Sequence, residues 1–189
     1  VLFRSNSGRW RPSAAPGASG ALEQELDQVQ VGVTRYNCAD SLDRTNAAGF
    51  FALQQGGNAM DMIEAGARFV EADATGLSVG IGGLPDRDGH VTLDACCMDH
   101  TGNAGSVCFV QGVLHPLSLA RKVMEDTPHV MLAGAGAEKY ARELGLDEVE
   151  LLTDTSRRAW AEWRNTSDYK PVINVENHDT IGLLALDDQ

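Results

Sequence analysis

The chain has 189 residues, 43% of them hydrophobic and 22% charged, with a formal net charge of −12. That length suits one domain with a sizeable core. The acidic balance argues against a nucleic-acid groove or an anionic membrane surface as the main partner, and no stretch is long and apolar enough to span a bilayer.

The charge is unevenly placed. Residues 1–45 carry five basic and five acidic side chains, so the whole excess lies in residues 46–189. The chain starts at Val1 rather than Met, so its natural start is expected elsewhere, and no signal peptide is visible. The cysteines are Cys38, Cys96, Cys97 and Cys108. Adjacent Cys96 and Cys97 in an apolar strand point to opposite faces and make poor disulfide partners for each other. No cysteine spacing matches a zinc site, and buried free thiols are expected.

Residues 1–30 mix Arg, Ser, Pro, Ala and Gly without periodicity and read as a disordered leader, with a short, weakly helical stretch at Ala21–Gln30. Val29–Thr34 alternates enough for a strand. A helix is expected from Asn46 to Leu53, broken by Gly56-Gly57. Asn58 caps a second helix carrying Met60, Ile63, Ala67 and Val70 at helical spacing. Gly76–Gly83 is glycine-rich and leads to Pro85–Gly89, which reads as a hairpin turn. His90–Met98 and Ala104–Val113 are expected as strands. Pro116 opens a helix through Met124, followed by a strand at Val130–Ala133 and a helix at Gly136–Leu144 closed by Gly145. Thr153–Ser156 starts a last helix, with Trp160 and Trp163 as core anchors. Asn165–Asn177 reads as a loose polar tether. Strands and helices alternate, with antiparallel hairpin signals among them, so the class is mixed α and β.

The tether ends at His178-Asp179-Thr180, directly before an apolar run that reads as a buried strand. A threonine heading such a strand can cut its own preceding peptide bond and then act as nucleophile, with its freed amine as base. The alternative is a plain strand start with a polar cap.

The residues upstream bear on that choice. Gly56–Gly66, Ser78–Ala95, Asn103–Gly105, Pro116–Leu132 and Asn177–Asp187 occur in the order found in the glycosylasparaginases. From about residue 46 the chain therefore resembles these N-terminal-nucleophile (Ntn) hydrolases of the asparaginase-2 superfamily. The resemblance implies an α/β (α+β) fold, the αββα sandwich, made as a precursor that cleaves itself between Asp179 and Thr180. His178 and Asp179 would assist processing, and Thr180 would attack the side-chain amide of an asparagine derivative. The His-Asp-Thr form favours glycosylasparaginase over isoaspartyl peptidase. It also implies association of α and β chains after cleavage, a homo-oligomer of such heterodimers, and no cofactor or metal. The chain stops at Gln189, so most of the β chain is expected to be missing, the sandwich incomplete and the chain inactive by itself.

A second resemblance covers only residues 31–46. Val31–Asn46 is similar to the catalytic loop of Sac-domain phosphoinositide phosphatases, with Cys38 and Arg44 at C-x5-R spacing. Loop amides and a guanidinium would cradle a phosphate and lower the thiol pKa. The flank is charge-neutral and the rest of such a domain is absent, so this stretch reads as a foreign segment joined near residue 46. The domain reading is a leader over 1–30, the Sac-like segment over 31–46, and a glycosylasparaginase-like α chain with the start of the β chain over 46–189.

Smaller candidates read as structural. Gly80, Gly82 and Gly83 lack the Lys-Ser or Lys-Thr pair of a phosphate loop. Asp86, Asp88 and Asp94 fit no calcium spacing. His90, His100, His115 and His129 lie on separate elements. Asn165-Thr166-Ser167 is a glycosylation sequon only in a secreted eukaryotic protein. Lysosomal, periplasmic and cytoplasmic locations all stay open.

Overall fold

The computed structural model describes residues 35–37, 48–49, 51–52, 54–146, 148–166 and 182–187. The leader, the strand at Val29–Thr34 and residues 167–177 of the Asn165–Asn177 tether lie outside them, while Asn165 and Thr166 close a helix instead.

Residues 48, 49, 51, 52 and 54 are helical, as the sequence suggests. Helix α1, Ala59–Glu71, then starts at a complete capping box. Asp61 N–H donates to Asn58 Oδ1 at 3.0 Å, and Asn58 N–H donates to Asp61 Oδ2 at 2.9 Å. The helix buries Met62, Gly66, Ala67, Val70 and Glu71. The expected stripe therefore changes at its start: Met60 and Ile63 are half-buried flanks, and Met62 is the core residue. The face beside it is polar because Asp61 and Glu64 engage the next helix.

After α1 the chain folds back on its own helix end. Ile81 N–H donates to the Glu71 carbonyl at 2.9 Å. A Cβ at Gly80 (φ +64) would collide with the Glu71 backbone, so only glycine fits there. Gly80 is a turn residue by necessity.

Strands β2, Leu93–Met98, and β3, Ala104–Val110, pair antiparallel, with Cys96 opposite Ser106. The sequence puts a hairpin turn at Pro85–Gly89; the structure puts it at Asp99–Asn103. Asp99 Oδ1 accepts the N–H groups of Thr101 at 2.8 Å and Asn103 at 3.0 Å. Pro85–Gly89 is a capped loop in which Asp86 Oδ1 accepts the Asp88 and His90 amides. Residues 76–84 make turns, so no strand precedes that loop to form a hairpin. Opposite Asp94, β3 bulges: Leu93 pairs with Val110 but Ala95 with Val107. Asp94 Oδ1 accepts the amide of Phe109, whose φ is +53°.

Helix α2, Pro116–Asp126, leads from β3 to β4, Met131–Ala133, which lies parallel to β3. Helix α3, Gly134–Glu143, follows at once. Its end carries the hydrogen bonds of a Schellman motif, from Gly145 N–H to Arg142 O and from Leu146 N–H to Ala141 O. One face of the β2-β3-β4 sheet carries the core, where Val107, Val110, Leu119, Ala120, Val123, Ala137 and Ala141 pack together. The other face is open: Cys96, Met98, Met131 and Ala133 are exposed. Helix α4, Asp154–Thr166, buries only Ser156. Trp160 and Trp163 are therefore not core anchors. Trp160 lies against Gly89 with the Arg164 guanidinium 5.0 Å over its ring, and Trp163 is 43% exposed. Ser156, Ala159, Trp160 and Trp163 share one face of the helix, opposite Arg157, Arg158 and Glu162, but only Ser156 on that face is fully buried and Trp160 is half-buried.

A second, two-stranded sheet pairs β1, Arg35–Asn37, with β5, Gly182–Leu184, antiparallel. Arg35 faces Leu184 and Asn37 faces Gly182.

Close packing of α2 on β3 is set by Gly105, where a Cβ would overlap the Ala120 carbonyl and Met124. Gly105→Ala should lower stability by about 1–3 kcal/mol. Gly136→Ala, in helix α3 with open space around it, should raise stability by about 0.4–1 kcal/mol. Urea unfolding of both variants checks the opposite signs.

Candidate active-site frame

The strand heading the candidate site is β5, whose first residue, Gly182, comes two positions after Thr180. Thr180, His178 and Asp179 lie outside the described residues, as do Cys38 and Arg44. What the structure describes is the frame around them. The C-terminal end of β1 and the N-terminal end of β5 lie side by side at the Asn37–Gly182 pair.

The segment after β5 is tied to α1 by a long-range hydrogen bond at Asp187, three residues beyond the strand. Ala59 N–H donates to Asp187 Oδ2 at 2.6 Å. Ala59 is the first helical residue, so its amide has no intrahelical acceptor. The capping box accounts for the amides of Asn58 and Asp61, and Asp187 takes the first of the two between them. A carboxylate here also meets the positive end of the helix dipole.

Helix α1 is in turn held to α2 by Arg121. Its guanidinium lies 2.7 Å from Asp61 Oδ1, 2.7 Å from Glu64 Oε2 and 2.6 Å from Glu125 Oε1. The Arg121 side chain is only 15% exposed. Its burial works against the charge, but Glu125, Asp61 and Glu64 outweigh that and push its pKa up. For Asp61, burial pushes the pKa up, but the Asn58 amide and Arg121 outweigh it and hold the carboxyl below its usual range. Ser118 hydroxyl donates to Glu64 Oε1 at 2.6 Å, and Arg68 donates to Ser118 Oγ at 3.1 Å.

Farther along α1, Glu71 is 4% exposed and fully engaged. Its Oε1 accepts Leu117 N–H at 3.2 Å, and its Oε2 lies 3.0 Å from His115 Nδ1. His115 stands just before α2 and orients its entry, which fits its structural reading. Asp86 and Asp94 act as acceptors for loop amides. Among the described residues, Cys96 is exposed, against expectation, because its strand face is uncovered. Burial pushes the Cys97 thiol up to about 11. Cys97 therefore stays protonated at neutral pH.

Residues 14–189 match the family model for asparaginase, Asparaginase_2. The chain belongs to that family. It is a family of Ntn hydrolases, and the mixed helix-and-sheet structure is consistent with its α/β fold class. The chain is 54% identical over 144 residues to an N(4)-(Beta-N-acetylglucosaminyl)-L-asparaginase of Elizabethkingia miricola, covering 76% of this chain and 42% of that protein. It is 32% identical over 170 residues to the Rattus norvegicus protein of the same name, covering 74% of this chain and 49% of the relative. A Rattus norvegicus isoaspartyl peptidase/L-asparaginase is 31% identical over 153 residues, covering 79% and 46% respectively. The chain thus spans less than half the length of each of these relatives.

Asp187, Arg121 and Glu71 do not stand out in the sequence. Arg121 and Glu125 four residues apart on one helix offered a weak signal, but no spacing in sequence announces a contact between Ala59 and Asp187. The Arg121 cluster makes a pH-dependent prediction. A carboxyl with a lowered folded pKa adds stability above its unfolded pKa and loses it as pH falls through the folded value. Arg121→Met should cost about 1–3 kcal/mol at neutral pH by taking the guanidinium from Asp61, Glu64 and Glu125, of which only Glu125 keeps Lys122. The gap to wild type should narrow toward about pH 3, as Asp61 protonates. Urea unfolding at the two pH values measures it, and a gap independent of pH would contradict the assignment.

Proposed function

We propose that this chain is the α-chain part, with the start of the β chain, of an amidohydrolase precursor that cuts itself between Asp179 and Thr180. The observation that carries the reading is family membership at 54% identity to a glycosylasparaginase, with Thr180 standing two residues ahead of β5. Thr180 Oγ attacks the Asp179 carbonyl carbon. The peptide C–N bond breaks, an ester forms, and the hydroxyl proton passes to the freed amine. Water hydrolyses the ester, leaving Asp179 as a carboxyl terminus and restoring the Thr180 hydroxyl. His178 and Asp179 assist this step.

The mature amine then serves as base for the same hydroxyl, which a threonine needs to be a useful nucleophile. Thr180 attacks the side-chain amide carbonyl of an asparagine derivative. The amine leaves with a proton, a β-aspartyl ester remains, and water releases aspartate. The His-Asp-Thr sequence favours glycosylated asparagine as substrate, and the name of the Elizabethkingia miricola relative agrees with it. The matched relatives extend well beyond the length covered here, and the corresponding part would supply substrate-binding and oxyanion groups. The open face of the β2-β3-β4 sheet, with Cys96, Met98, Met131 and Ala133 uncovered, suits a second sheet layer from that part. The α and β chains would stay together after cleavage and assemble as an oligomer of heterodimers.

The boundary near residue 46 belongs to the same proposal. The family match itself runs from residue 14 and so spans that boundary. Arg35–Asn37 still supplies the strand beside β5.

The test is a chimaera carrying this chain followed by the missing C-terminal part of the Elizabethkingia miricola relative. It should hydrolyse a β-aspartyl amide, and Thr180→Ala should lower the rate by on the order of 10⁴-fold or more. Release of phosphate from a phosphoinositide, lost in Cys38→Ser, with no amide hydrolysis, would overturn this reading in favour of the Sac-like one.

A further inference from the structure

We propose that Asp187 is a positioning residue for the nucleophile, fixing the strand that follows Thr180 against the N-terminus of α1. This inference rests on the role given to Thr180 above. Asp187 and Ala59 are 128 residues apart in sequence, yet the Asp187 Oδ2 to Ala59 N distance is 2.6 Å. A bond to a carboxylate is among the stronger hydrogen bonds, and the helix dipole adds to it.

In the described residues strand β5 is placed by its pairing with β1, its approach to α1 and the Asp187 bond. It spans three residues, and Leu184 is exposed. Its partner β1 is equally short. Helix α1, by contrast, is anchored at its first turn by Arg121 through Asp61 and farther along by Glu71 through Leu117. The Asp187 bond therefore transfers the position of a well-fixed helix to a weakly fixed strand. Reactions of this kind are sensitive to such placement, since an error of about 1 Å can cost on the order of 10²-fold in rate.

The bond can be broken from either side. Asp187→Ala removes the acceptor. Ala59→Pro removes the donor at the first helical position, where proline is well tolerated. Asn58, which would precede that proline, already has an extended backbone. Asp187→Asn keeps an acceptor oxygen. In the chimaera, the rate of appearance of the fragment beginning at Thr180 is followed together with the urea midpoint of an uncleavable Thr180→Ala background.

Asp187→Ala and Ala59→Pro should each slow cleavage about 10- to 100-fold. The double variant should be no slower than either single one, and Asp187→Asn should stay within about threefold of the parent. The urea midpoints should not track the rates. Cleavage of Asp187→Ala or Ala59→Pro at the parent rate would overturn the inference while leaving Thr180 as nucleophile. So would rate losses that follow the midpoints, or rate losses that add in the double variant. A parent chimaera that is never cut would overturn the reading of Thr180, and this inference with it.

Discussion

One guanidinium holds the described structure to its candidate site. Arg121 lies on α2, the helix whose apolar side packs on β3, and it reaches three carboxylates within 2.7 Å. Two of these, Asp61 and Glu64, are on α1, so α1 inherits its place from the sheet through α2. Asp61 does two jobs, closing the capping box on Asn58 with one oxygen and meeting Arg121 with the other. The first turn of α1 is thereby fixed in both its backbone geometry and its position. Removing one member of such a cluster leaves like charges together, which costs more than the lost bond alone.

The same turn meets the segment that follows β5, the strand after the proposed nucleophile. Asp187 accepts the Ala59 amide, one of the two that the capping box leaves between Asn58 and Asp61. A path of short polar contacts thus runs from the core-packed helix α2, through α1, to Asp187, seven residues after Thr180. Each link is local chemistry: a cap, an ion pair, an orphan amide. Their sum is a defined address for a strand too short to hold itself in place.

Much of this fold was legible in the sequence, and the reasons are specific. Asn58 with Asp61 three residues on, Pro116 at a helix start and Gly145 after a helix end are local signals, and the structure has an element boundary at each. Local signals failed where tertiary context decides. The Pro85–Gly89 turn has the composition of a hairpin, but Gly80 is pinned to Glu71, so the chain before the turn cannot run as a strand. Trp160 and Trp163 look like core residues by type and share one face of α4, yet in the structure Trp160 is only half-buried against Gly89 and Trp163 is exposed. The candidate nucleophile was legible from His178-Asp179-Thr180 and its flanking run. Its support was not, because the contacts of Arg121 with Asp61 and of Asp187 with Ala59 join residues far apart in sequence.

The account rests on Thr180 becoming a new amino terminus. Intact-mass and amino-terminal analysis of the purified chimaera test that most directly. The account predicts two chains that stay associated, one ending at Asp179 and the other beginning at Thr180, and a single uncut chain when Thr180 is Ala. A catalytically competent chain left whole, or cut at any other bond, would contradict it.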